Sequence, residues 1–145
     1  MSERRAFDYV VVQVVPRVDR DERMNAGVIL FCPASGFLGC RVALDRARLR
    51  ALAPDVDIDV DGVARQLAAV EAVAEGAAGA GPIAALSRSE RFHWLSAPRS
   101  TMVQPSVPHA GLCDDPAAAL DRLFRAVVPA PAGPLFTAAG RPSSR

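Results

Sequence analysis

The sequence predicts an α+β fold: a single domain over 1–128, built as a mostly antiparallel sheet with helices packed on one side. Three observations carry this. β-branched and aromatic runs crowd into the first part of the chain, at 7–15, 26–32 and 37–44. Segments of helical periodicity come only after them. The resulting order, β-β-β-α-α-β-β-α, is neither alternating βα nor all-β.

FDYVVVQVV (7–15) is apolar at both parities apart from Asp8 and Gln13, which predicts a central strand. Pro16 bounds it. PRVDRDERMN (16–25) reads as a charged connection, too polar for a core. AGVILFC (26–32) is a second strand, PASG (33–36) a turn, and FLGCRVAL (37–44) a third strand. Leu38, Cys40, Val42 and Leu44 make its apolar face, and Arg41 points the other way. Two strands about a short turn predict an antiparallel hairpin.

Asp45 caps a short helix, RARLRALA (46–53), that ends at Pro54. DVDGVARQLAAVEAVAEG (59–76) is a longer helix, with Val60, Val63, Leu67, Val70 and Ala74 in one stripe and Gly76 as its stop. AAGAG (77–81) is a linker and IAALS (83–87) one helical turn. ERFHWLS (90–96) reads as a strand, with Phe92 and Trp94 on one face and His93, half exposed, on the other. STMVQ (100–104) is extended. Asp115-Pro116 starts the last helix, whose buried stripe is Leu120, Leu123, Phe124 and Val127. Pro, Ala, Gly, Ser and Arg dominate 129–145, which predicts a disordered tail.

Composition excludes several classes. With 145 residues, half of them apolar, the chain can bury a core and is not of the disordered type. A formal charge of +1 gives no global field toward nucleic acid or an anionic membrane, and no basic stripe is interleaved with aromatics. All 17 basic residues are Arg, whose planar forks suit carboxylates and phosphates. Asp8 and Gln13 break the first apolar run, so no signal peptide is expected, and no run approaches the ~20 residues that span a bilayer. Cys32, Cys40 and Cys113 form an odd set without CxxC spacing. They predict free, partly buried thiols and a cytoplasmic protein.

Most motifs have a plain reading. Asp57, Asp59, Asp61 and Gly62 match the start of a calcium loop, but Ala68 stands where a bidentate Glu is needed. Acids that cap a helix explain them better. GAAGAGP (76–82) lacks the Lys-Ser/Thr of a phosphate loop. His93, His109, Cys113 and Asp114 have no compact zinc spacing, so neither metal nor cofactor is predicted. Ser100 and Thr101 lack a nucleophile elbow and suit backbone hydrogen bonding in a turn. Arg17, Arg20 and Arg23 alternate with Asp19, Asp21 and Glu22 as compensating charge. On a second reading, Arg23 and Asn25 are pinned at the start of the next strand, facing a shared site.

Two distant blocks then stand out: 8-DYVVVQVVPRVDRDERMNAGVILF-31 and 91-RFHWLSAPRSTMVQPSVPHAGL-112. Through Tyr9, Pro16, Glu22, Asn25 and Gly27, then Arg91, Phe92, Trp94, Pro98, Ser100, Gln104, His109 and Gly111, the chain resembles the bacterial domain-of-unknown-function family 3037. The resemblance spans about 8–128, and Met24-Asn25-Ala26 departs slightly from the usual Asn-Val-Gly. It implies no established activity. It does imply a partner protein, a HipA-like serine/threonine kinase, in place of free-standing catalysis.

Two functions are therefore expected. The first is a non-catalytic interaction module that binds such a partner or a small anionic ligand through Arg23, Asn25, Arg91, Arg99, Ser100, Gln104 and His109. These supply forks, amides and a hydroxyl, the groups that hold phosphate, carboxylate or peptide backbone. Arg99, Ser100, Gln104 and His109 should share one concave surface, with Arg23 and Asn25 at its rim. The alternative is a small enzyme acting on a phosphate-containing substrate, with His109 as acid–base and Arg99 as anion clamp.

Overall fold

A computed structural model describes residues 4–129. The elements run β1 (Arg5–Arg17), β2 (Glu22–Cys32), β3 (Phe37–Val42), α1 (Arg46–Leu52), α2 (Val60–Glu75), α3 (Arg88–Leu95), β4 (Val103–Pro105), β5 (His109–Cys113) and α4 (Pro116–Val127). The five-stranded sheet is antiparallel at every pairing, so the fold is α+β. β1 is the central strand: β2 runs along one edge, while β4 and β5 share the other, at Val12–Val14 and Arg5–Tyr9 respectively. β3 closes the far side against β2. Beyond Pro129, the expected tail lies outside the described residues.

Both faces of this sheet carry packed helices, as the apolar parities of β1 and β2 require. Val10, Val12 and Val14 of β1 and Met24, Ala26 and Ile29 of β2 pack with Leu49 of α1, Val63 and Leu67 of α2, and Phe92 and Leu95 of α3. Fully burying a Val or Leu contributes about 1.5–3 kcal/mol, so this layer dominates stability. On the opposite face, Phe7, Val28, Leu30 and Cys32 pack with Ala119 and Leu120 of α4. The expectation of helices on one side thus needs a correction: three helices share a face, and α4 covers the other. Arg41 anchors it there, pairing with Asp121 and stacking 4.7 Å from the Phe124 ring centroid.

The helix ends follow their capping chemistry. Asp45 accepts from Arg48 N at 3.0 Å, Asp59 from Gly62 N at 2.9 Å, and Asp115 from Ala117 N at 3.1 Å. Gly76 stops α2 at φ 66°, a left-handed conformation that glycine adopts without strain. Asp61 pairs with Arg46, whose guanidinium holds the carboxyl below its ordinary range.

Two segments differ from expectation. The charged run 16–25 is mostly strand, because β1 continues through Arg17 and β2 begins at Glu22. Its charges compensate in pairs, Arg17 with Asp19, Arg20 with Glu22 and Arg23 with Asp21, while Met24 turns inward. Pro16 sits where the β1–β2 register slips, between Val14 and Arg17, a place that tolerates a missing donor. The segment 90–96 is not a strand but the body of α3. Ser87 and Glu90 form a reciprocal capping box at its start. Phe92 and Leu95 are buried, and His93 and Trp94 face outward, Trp94 being 43% exposed.

All three cysteines are free and buried. Burial pushes the Cys40 thiol up, as do Glu71 and Glu75 beside it; burial and neighbouring Cys32 push up Cys113. Among the described residues, no helix is long and apolar enough to cross a membrane.

Candidate functional site

β3 pairs with β2 only from Gly27 to Cys32, so the first half of β2 keeps an edge open toward α1. A cavity of about 230 Å³ lies there, lined by Arg23, Met24, Asn25, Arg48, Leu52 and Pro129. Arg23 and Asn25 alternate with buried Met24 and Ala26, which places both on the α4 face of the sheet.

A relay of hydrogen bonds fixes these polar groups. Asn25 Nδ2 donates to Val127 O at 2.9 Å, at the C-terminal end of α4. That leaves Asn25 Oδ1 to accept from Gln13 Nε2 at 3.1 Å. Gln13 Oε1 in turn accepts from Arg23 Nη1 at 3.0 Å, and Arg23 also pairs with Asp21. Each amide can satisfy its neighbours in only one orientation, so the carbonyl of Val127 sets the direction of the whole chain. Gln104 extends the row, since Gln13 pairs with Asn25 across β2 and with Gln104 across β4. Gln104 Nε2 bonds Thr101 O at 2.6 Å.

The remaining candidates stand elsewhere. Arg91 donates to Leu86 O at 2.6 Å and to Ala74 O at 3.3 Å, and so ties the end of α2 to the start of α3; its Nε is buried without a partner. Arg99 donates to Trp94 O and Ala97 O at the end of α3. With Gln104 it borders a pinched gap of about 10 Å³ beside Val12 and Ile29, too small for a ligand. Ser100 is exposed in the loop that follows. His109 begins β5 opposite Tyr9, with the rings 5.2 Å apart, on the α4 face. The structure therefore brings Arg23, Asn25 and Gln104 into one polar row, and leaves Arg91, Arg99, Ser100 and His109 outside it. His93, His109, Cys113 and Asp114 do not converge: among the described residues no three metal-binding side chains gather.

Sequence reasoning missed Arg48 and Gln13 as members of this site. Gln13 did leave a signal, as a polar break in an otherwise apolar strand. Arg48 left none, because an exposed arginine on a short amphipathic helix is ordinary.

No curated relative and no solved structure matches the chain. A family model does match, over residues 9–128, and it covers β1 through α4 with the row and the cavity. The chain belongs to the DUF3037 family, proteins of unknown function.

Proposed function

We propose that the protein is a non-catalytic interaction module that holds an anionic group of a partner, a carboxylate or a phosphate, in the Arg23–Asn25–Arg48 cavity. One observation carries this reading. Two guanidiniums from different elements line one cavity, and Arg48 makes no ion pair among the described residues. Arg23 is already oriented by Gln13 and Asp21, so little side-chain freedom is lost when an anion arrives. The HipA-like kinase is the partner this reading expects, and three buried free thiols suit a cytoplasmic protein.

An enzyme built on His109 and Arg99 has less support. His109 stands against Tyr9 on the α4 face, whereas Arg99 lies against Val12 and Ile29 on the other face. A base and a clamp on opposite faces cannot meet one substrate.

The test is titration of the full chain with inorganic phosphate and, separately, with the HipA-like kinase, using wild type and Arg48→Ala. Saturable binding that Arg48→Ala weakens about tenfold, with an unchanged melting temperature, supports the reading. Binding indifferent to Arg48, or none at millimolar phosphate and micromolar kinase, removes it.

A further inference from the structure

At the other end of the sheet a second surface stays uncovered by the described residues. Side chains alternate along β1, so Ala6 and Asp8 share the face on which Val10, Val12 and Val14 lie beneath the three helices. The register sets Ala6 beside Leu112, and Asp8 between Phe31 and Ala110. α3 reaches only as far as Phe31, whose ring lies 5.4 Å from that of Phe92. Beyond that contact Ala6, Asp8, Ala110 and Leu112 remain exposed, Leu112 by 56%.

A cavity of about 380 Å³ connects this platform to α3, with Asp8, Phe31, Phe92, His93 and Pro108 among its walls. The platform is apolar and small-residued around a single carboxylate. Asp8 makes no ion pair among the described residues, with His93 or any other group. Arg4 borders the neighbouring cavity with Asp114 and Asp115, and it stands four residues from Asp8, about 13 Å of extended chain.

These features are complementary to one kind of occupant. A carboxylate on a rigid central strand, ringed by apolar groups, attracts a cation more strongly once a partner covers it and removes water. A guanidinium is planar, so it can fork onto Asp8 while its face lies along Phe31. The hydroxyls of Ser89 and Ser96 on the α3 wall have free lone pairs for its remaining N–H groups; Ser96 Oγ donates to His93 O at 3.3 Å and can still accept.

We propose that this platform docks a segment of a partner protein presenting one arginine among apolar side chains, with the guanidinium on Asp8 and the apolar flanks covering Ala110, Leu112 and Phe31. The surface shares no residue with the Arg23–Asn25–Arg48 cavity and prefers the opposite charge. The two readings therefore stand or fall separately.

The test uses the full chain, labelled for amide NMR, and two acetylated, amidated pentapeptides. One has a central arginine flanked by alanine and leucine. The other carries citrulline there, which keeps the shape and removes the charge. The arginine peptide should shift the amides of Ala6, Asp8, Phe31, Ala110 and Leu112 saturably. Asp8→Asn and the citrulline peptide should each raise the dissociation constant by about tenfold or more. Leu112→Ser, at an exposed edge position, should weaken binding as well and serves if Asp8→Asn does not fold. Three results would overturn the proposal: no saturable shift at millimolar peptide, equal binding of both peptides, or shifts confined to another surface. So would a dimer of the free chain that Leu112→Ser dissociates, because the occupant would then be a second copy.

Discussion

The Arg99 guanidinium lies 4.7 Å from the centroid of the Trp94 ring and donates to the carbonyl of that same tryptophan at 2.6 Å. A second donation, from Nε to Ala97 O at 3.3 Å, closes the end of α3. Terminal carbonyls have no partner within their own helix, and a cation there also meets the negative end of the dipole. Arg99→Ala should therefore destabilise the fold by about 1–2 kcal/mol, through a lost cap and a lost cation–π contact. Thermal unfolding measures this, and the emission of Trp94, the only tryptophan, should shift in the folded state. An unchanged melting temperature would mean that the cap contributes nothing to stability.

Three strands, the hairpin, α1, α2 and α4 were legible because period and punctuation agreed: apolar runs ended at Pro or Gly, and Asp45, Asp59 and Asp115 stood at helix starts. α3 was misread because RFHWL is short and rich in strand formers, so periodicity could not decide. The deciding signal was local, Ser87 followed by Glu90 three residues on. β5 was missed because HAGLC has neither alternation nor a β-branched residue, and only pairing to Arg5–Tyr9 makes it a strand. The polar row was half legible: Arg23 and Asn25 read as pinned at a strand start, but the neighbours of Gln13 depend on register, which composition does not carry.

That misreading leads to a test of the capping box. Ser87 Oγ accepts from Glu90 N at 3.2 Å, and the Glu90 carboxylate accepts from Ser87 N at 3.2 Å. α3 is only eight residues long, so its start is a large share of its stability. Ser87→Ala should destabilise by about 1 kcal/mol, and Ser87→Asp, which keeps an acceptor, by less. Urea denaturation distinguishes them; equal losses would show that the box contributes through something other than its acceptor.

Glu71 sets a pH dependence. Partial burial and the charge of Glu75 one turn away raise its pKa above the ordinary 4.5, and Arg41 opposes them. A raised carboxyl means that the folded chain holds the proton more tightly than the unfolded chain. Stability is therefore lost as pH rises through the window from 4.5 to the folded value. Glu71→Gln removes that loss. The variant should be more stable than wild type at neutral pH, and the advantage should shrink to nothing below 4.5, where both side chains are neutral. Melting temperatures across this range check it, and an advantage that persists in acid would assign the effect to packing.

Two glycines of the family pattern allow close approach, but with different tolerance. A Cβ on Gly27 would stand 2.7 Å from the backbone oxygen of Arg41 and 2.8 Å from Val42 Cγ1. β2 is paired on both sides there, to Val12 and to Val42, so the backbone cannot yield without breaking a ladder. The nearest atoms to a Cβ on Gly111 would be those at the rim of the Phe7 ring, at 2.6 Å for Cζ. A ring can turn, although Phe7 is packed within the α4-side core. Gly27→Ala should cost about 2–3 kcal/mol, near the upper end for overpacking, and Gly111→Ala about 1 kcal/mol. Trimming the ring separates the two mechanisms. In a Phe7→Leu background the cost of Gly111→Ala should largely vanish, because the two changes share one contact, whereas the cost of Gly27→Ala should be unaffected. Denaturant midpoints of the five single and double variants decide it. If Phe7→Leu leaves the cost of Gly111→Ala intact, the clash lies with the β5 backbone and not with the ring.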